Sequence, residues 1–152
     1  MSQLIDILSP TRTLCRAKDA SKKRLFETIA DVVSRDQATL SSSEVLTQLT
    51  AREKLGSTAL GQGIAIPHCR VGSCTRPLGS LLTLAEPIPF DAPDDQPVDL
   101  LFVLLVPEEA QQQHLDILAE VARLFSQDGY CKKLRSATDS DTLYHRAVEG
   151  TG

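Results

Sequence analysis

The chain has 152 residues, 41% of them hydrophobic and 24% charged, with no tryptophan, which suits one domain with a single filled core. Sixteen Lys and Arg against twenty Asp and Glu leave a formal net charge of −4, which argues against a nucleic-acid surface because phosphate backbones call for concentrated basic residues. The longest apolar run, residues 100–106, is far shorter than the roughly 20 residues of a membrane span, and MSQLIDILSP lacks the basic start of a secretory peptide. The expectation is a soluble, cytoplasmic protein with one domain over residues 1–152, its core at about 5–148.

In chain order, SKKRLFETIADVVSRD places Leu25, Phe26, Ile29, Val32 and Val33 at helical spacing. Its Lys22, Lys23 and Arg24 read as a solvated helix face. LSSSEVLTQLTAREKLG is a second helix, with Ser41 and Glu44 as a capping box, Leu40 and Val45 as the hydrophobic staple, and Gly56 at its end. Three glycines between residues 56 and 63 mark turn and short-strand territory. Residues 79–88 form a strand closed by prolines, and residues 98–107 are a continuous apolar run expected to be a central strand covered on both faces. Residues 110–127 form a third helix carrying Leu115, Leu118, Val121, Ala122 and Phe125, and two short helices close the chain, the last with Thr138 and Asp141 as a second capping box. This order implies an α/β fold: a single domain with a mixed β-sheet flanked by helices on both faces. Cys15, Cys69, Cys74 and Cys131 make no CxxC pair and read as reduced thiols.

The chemistry concentrates in GQGIAIPHCR. Pro67 fixes its own backbone and biases Ile66 to extended geometry, so 64–66 is a short buried strand and His68 emerges at its end. A neutral imidazole there can bind a metal, move a proton or accept a group on a ring nitrogen. Metal is the weakest reading, because His114 and His145 lie far off in sequence and no HxxxH or HExxH spacing exists. Neither Cys69 nor Cys74 sits in a hydrolase nucleophile motif. Phosphoryl acceptance needs a nucleophile, a cation and donors, and REKLGSTALGQGIAIPH contains His68, Arg52, Ser57, Thr58 and glycine backbone. Each residue also has a plainer reading. His68 can be a turn residue, Arg52 a solvated helix position, and Ser57 and Thr58 partners of turn backbone. His114 can be a hydrogen-bonded core histidine, and His145 a surface one. Spacing leaves these alternatives open.

Glu53, Leu60-Gly61 and Ile64-Ala65-Ile66-Pro67-His68-Cys69 together resemble the active-site signature of type-2 enzyme IIA domains of the phosphoenolpyruvate-dependent phosphotransferase system. Cys69 stands where that signature often has glycine. LGSTALGQGIAIPH and FDAPDDQPVDLLFVLLVPEE resemble the nitrogen-regulatory branch of the family. The resemblance implies a mixed sheet flanked by helices and a phosphorelay in which an HPr-like histidine phosphocarrier phosphorylates His68 through Nε2. It further implies that Arg52 contacts the phosphoryl group, that Ser57 and Thr58 lie beside the pocket, and that His114 is a second histidine near the acceptor. No metal or cofactor is implied. Output would run through regulatory targets of the potassium-transport or sensor-kinase type. The alternative within the family is a soluble IIA component of a mannitol- or fructose-type sugar transporter.

Overall fold

The computed structural model describes residues 4–109 and 111–149, with side chains for all of these except residues 4, 5, 111, 113 and 114. A short helix α1 (Leu4–Ile7) and a 3-10 turn (Pro10–Arg12) lead into strand β1 (Thr13–Ala17). Helix α2 (Lys22–Asp36) begins where the Ser21 side chain accepts the Arg24 N–H, and it buries Leu25, Phe26, Ile29, Ala30 and Val33. Helix α3 (Ser42–Lys54) begins on Ser41, which accepts the Glu44 N–H, with Leu40 and Val45 both buried as a staple requires. The capping box is only half closed, because Glu44 Oε1 accepts a 2.6 Å hydrogen bond from Ser73 Oγ.

The sheet is mixed. Strands β5 (Leu78–Ile88) and β6 (Val98–Val106) pair antiparallel at its centre, with β1 parallel to β5 on one side. On the other side of β6 two short strands follow one another in parallel register: β3 (Ile64–Ala65) opposite Leu100 and Leu101, then β4 (His68–Arg70) opposite Leu104, Leu105 and Val106. Strand β2 (Ala59–Gly61) folds back antiparallel onto β3.

As expected, β6 is covered on both faces. Leu101, Val103 and Leu105 pack in one cluster with residues of α2 and α3. Leu100, Phe102, Leu104 and Val106 pack in the other with residues of α4 (Gln111–Phe125), α5 (Asp128–Arg135) and α6 (Ser140–Glu149). Each such side chain contributes about 1.5–3 kcal/mol on burial, an upper figure because the unfolded chain is itself partly collapsed. Among the described residues no helix is long and apolar enough to cross a membrane.

Three expectations need correcting, and strand β1 goes beyond them. The stripe of α4 runs through Ile117, Val121, Leu124 and Phe125, while Leu115 is 61% exposed. Helix α6 is capped by Asp139, not Thr138: its Oδ1 accepts the Thr142 N–H at 2.8 Å, since a carboxylate three residues ahead reaches that donor directly. Strand β1 carries no pattern of its own and exists through its pairing with β5. Lys22 is not simply solvated: its ammonium lies 3.0 Å from Glu53 Oε2 and 4.2 Å from the Phe90 ring centroid.

Candidate functional site

The last turn of α3 and the first residues of β4 face each other across a cavity of about 500 Å³ lined by Gln48, Ala51, Arg52, Leu55, His68, Cys69 and Arg70. Arg52 comes from the helix and His68 from the strand, sixteen residues on, so the structure brings these two together. His68 opens β4 instead of trailing off the end of β3, because the Pro67 carbonyl accepts the Leu104 N–H at 2.9 Å and restarts the pairing with β6. The backbone under the imidazole therefore belongs to the sheet and cannot drift.

His68 is half-buried, and its Nδ1 lies 2.7 Å from the Ile66 carbonyl oxygen. A carbonyl can only accept, so Nδ1 carries the hydrogen and the lone pair of the neutral ring resides on Nε2. The proton affinity of the ring is lowered chiefly by burial; the Ile66 hydrogen bond opposes this, the Arg52 charge lowers it further and Glu53 raises it. The net result is a pKa below the ordinary 6.5, hence a neutral imidazole at neutral pH.

As pH falls, the unfolded chain protonates this histidine first, near its model value of 6.5. The contribution of the buried neutral ring is complete above pH 6.5 and is lost as pH falls from there through the lower folded value. Urea unfolding across that window should show this loss in the wild type and lack that component in His68→Gln. Superimposable pH profiles for the two proteins would count against it.

The remaining candidates behave differently. Arg52 is half-buried and donates from NH1 to the Gly56 carbonyl at 3.0 Å, which anchors the guanidinium at the cavity edge. Ser57 Oγ donates to the Phe90 carbonyl at 2.6 Å and accepts the Ala59 N–H at 3.1 Å, so this hydroxyl braces the turn. Thr58 is buried, with Oγ1 donating to Glu53 Oε1 at 2.8 Å and N–H donating to Glu53 Oε2 at 3.0 Å. His114, expected near the acceptor, belongs to α4, and its side chain lies outside the described residues. His145 is exposed, as expected.

The glycines serve the hairpin between β2 and β3 and not the ring. Gly63 has φ +79°, and a Cβ there would meet Arg135 at 2.8 Å. The Gly63 carbonyl accepts the N–H groups of Asp99 and Leu100, five and four residues along β6 from Leu104 and roughly 13–16 Å away at strand rise. Cys69 is 6% exposed and its thiol is pushed up to about 12, mainly by burial and then by Cys74 and Glu44, so it stays protonated at neutral pH. Among the described residues no three His, Cys, Asp or Glu side chains gather as a metal site. In the sequence Glu53 figures only through the signature, yet it stands beside Arg52 at the end of α3 and its carboxylate holds Thr58.

The family model for "Phosphoenolpyruvate-dependent sugar phosphotransferase system, EIIA 2" matches residues 6–147. A nitrogen regulatory protein of Pseudomonas aeruginosa is 45% identical over 98% of this chain and 97% of its own length. One from Escherichia coli K12 is 40% identical over 99% of this chain and 92% of its own. The crystal structure of nitrogen regulatory protein IIA-Ntr from Neisseria meningitidis superposes with a TM-score of 0.89 at 40% identity, covering 96% of this chain and 99% of that one.

Proposed function

The chain belongs to the type-2 enzyme IIA family of the phosphotransferase system, and from that premise we propose that it is a phosphoryl carrier of the nitrogen-regulatory kind, with His68 as acceptor. The donor is the phosphohistidine of an HPr-like histidine phosphocarrier. In the transfer the donor's N–P bond breaks as a bond forms between phosphorus and His68 Nε2. The donor imidazole leaves with the electron pair of the broken bond. His68 becomes a phosphoimidazole whose ring carries more positive charge on Nδ1–H.

One observation carries this reading: the hydrogen bond from Nδ1–H to the Ile66 carbonyl, with Arg52 on the opposite wall of the cavity. The bond sets the tautomer before the donor arrives and strengthens as the ring becomes cationic, so it favours the transition state over the ground state. Arg52 supplies a fixed charge for the phosphoryl oxygens, the kind of preorganised group that phosphoryl transfer depends on. Ser57 and Thr58 act on the loop and not on the phosphoryl group. No metal or organic cofactor takes part in this scheme. The names of the 40–45% identical relatives favour nitrogen regulation over a role in sugar uptake. Phosphorylation state would then govern binding to regulatory targets of the potassium-transport or sensor-kinase type, in the cytoplasm and without nucleic acid.

The direct test is transfer. With phosphoenolpyruvate, an enzyme I and the HPr-like carrier, the intact protein is expected to gain the mass of one acid-labile phosphoryl group. No gain with a carrier that is itself phosphorylated would end this reading and leave a binding module.

A further inference from the structure

An unbroken run of hydrogen bonds joins the surface of α2 to the imidazole. Lys22 Nζ donates to Glu53 Oε2 at 3.0 Å, and the same carboxylate accepts the Thr58 N–H at 3.0 Å and Thr58 Oγ1–H at 2.8 Å. The Thr58 carbonyl accepts the Ile66 N–H at 3.0 Å, and the Ile66 carbonyl accepts His68 Nδ1–H at 2.7 Å. Each link fixes the next. The Glu53 side chain is only 7% exposed, so its negative charge needs both its donors and its cation. Lys22 is held in turn, its ammonium 4.2 Å from the Phe90 ring centroid and 3.4 Å from the Phe90 carbonyl oxygen, which also accepts Ser57 Oγ.

We propose that Lys22 and Glu53 are a positioning pair for His68, holding through Thr58 and Ile66 the carbonyl that fixes the imidazole tautomer. The inference rests on the phosphoryl-carrier reading for its purpose, though its geometry does not depend on it. Neither residue touches the ring. Glu53 nonetheless acts on it in two ways: through the hydrogen-bond run, and as a charge that raises the ring's proton affinity against the pull of Arg52. Lys22 offsets that charge from the far side. Among the described residues, the charged and titratable groups around the ring include Arg52 and Glu53 on α3, Lys22 behind Glu53, and Cys69 and Arg70 beside it on β4.

Opposite charges on one run give a signature that a merely structural role lacks. Lys22→Met leaves the Glu53 charge uncompensated and should raise the pH midpoint of His68, followed by NMR titration of the unphosphorylated protein. Glu53→Gln keeps the shape, since its amide can accept the Thr58 N–H and donate to a reversed Thr58 hydroxyl, but removes the charge and should lower that midpoint. The double variant should return close to wild type, and Lys22→Arg should differ little from it. In the transfer assay, kcat should fall about 10- to 100-fold in Lys22→Met, as misplacement of an acceptor does, with KM for the phosphocarrier nearly unchanged. Midpoint shifts of the same sign in Lys22→Met and Glu53→Gln, or no shift with kcat intact, would overturn the proposal. If Glu53→Gln does not fold, the contrast between Lys22→Met and Lys22→Arg decides it by the same two readouts. The titration uses no donor, so a wild-type protein that accepts no phosphoryl group would refute the carrier reading and leave the test of the pair standing.

Discussion

His68→Ala is expected to fold and to take up no phosphoryl group from a carrier that loads the wild type fully. The variant removes the only ring nitrogen among the described residues that line the cavity between α3 and β4. Arg52 and Arg70 remain, but a guanidinium has no lone pair to offer phosphorus. Cys69 remains as well, yet its buried thiol, with its pKa pushed up to about 12, is protonated at neutral pH and cannot substitute as nucleophile. The fold should tolerate the change. His68 is half-buried and the hydrogen bond from its ring to Ile66 is worth about 1 kcal/mol, while the strand pairing of β4 is made by backbone. Intact mass and a urea unfolding curve on the same preparation check both halves. Arg52→Ala should be milder, slowing uptake by about 100- to 1,000-fold, as loss of one preorganised electrostatic group does. Phosphoryl uptake by His68→Ala at the wild-type level would move the acceptor elsewhere.

The largest stability effect is expected at Arg12, far from this cavity. It is 3% exposed and ties three segments together: Nε donates to the Gly79 carbonyl at 3.0 Å, NH2 to the Ile7 carbonyl at 2.7 Å, and NH1 pairs with the Asp36 carboxylate. These acceptors belong to β5, α1 and the end of α2, so the guanidinium joins both helical layers to the sheet. Arg12→Ala would leave two buried carbonyls and a half-buried carboxylate without this donor, a change of about 3–5 kcal/mol. Against a typical domain stability of about 5–15 kcal/mol, that is enough to lower the urea midpoint severely. Lysine should not rescue it, because one ammonium cannot reach acceptors spread as a guanidinium fork reaches them. A shift equivalent to less than about 1 kcal/mol would mean that the fork is replaced by water at little cost.

Much of this was legible in the residues themselves. The long apolar run of β6, the phase of α2 and the staple around α3 are local patterns whose period or cap chemistry demands one structure. The signature from Glu53 to Cys69 carried the family because it combines fixed spacing with a proline that restricts backbone choice. The phase of α4 was less certain. Leu115 and Ile117 are both apolar, and only the position of the sheet decided which of them turned inward.

The sequence by itself therefore determined the class of fold, its central strand, and the family signature that singles out His68 as the candidate acceptor. Tertiary structure alone decided what the polar residues around that histidine do. Lys22, Glu53 and Thr58 meet because α2, α3 and the turn leading into β2 converge there, and Ser57 turns to Phe90 because the chain after β5 passes beneath it. Apolar periodicity is a local property, written in the chain at the period of a helix or strand. A hydrogen-bond partner is a relation between distant segments, and it exists only once the core has brought them together.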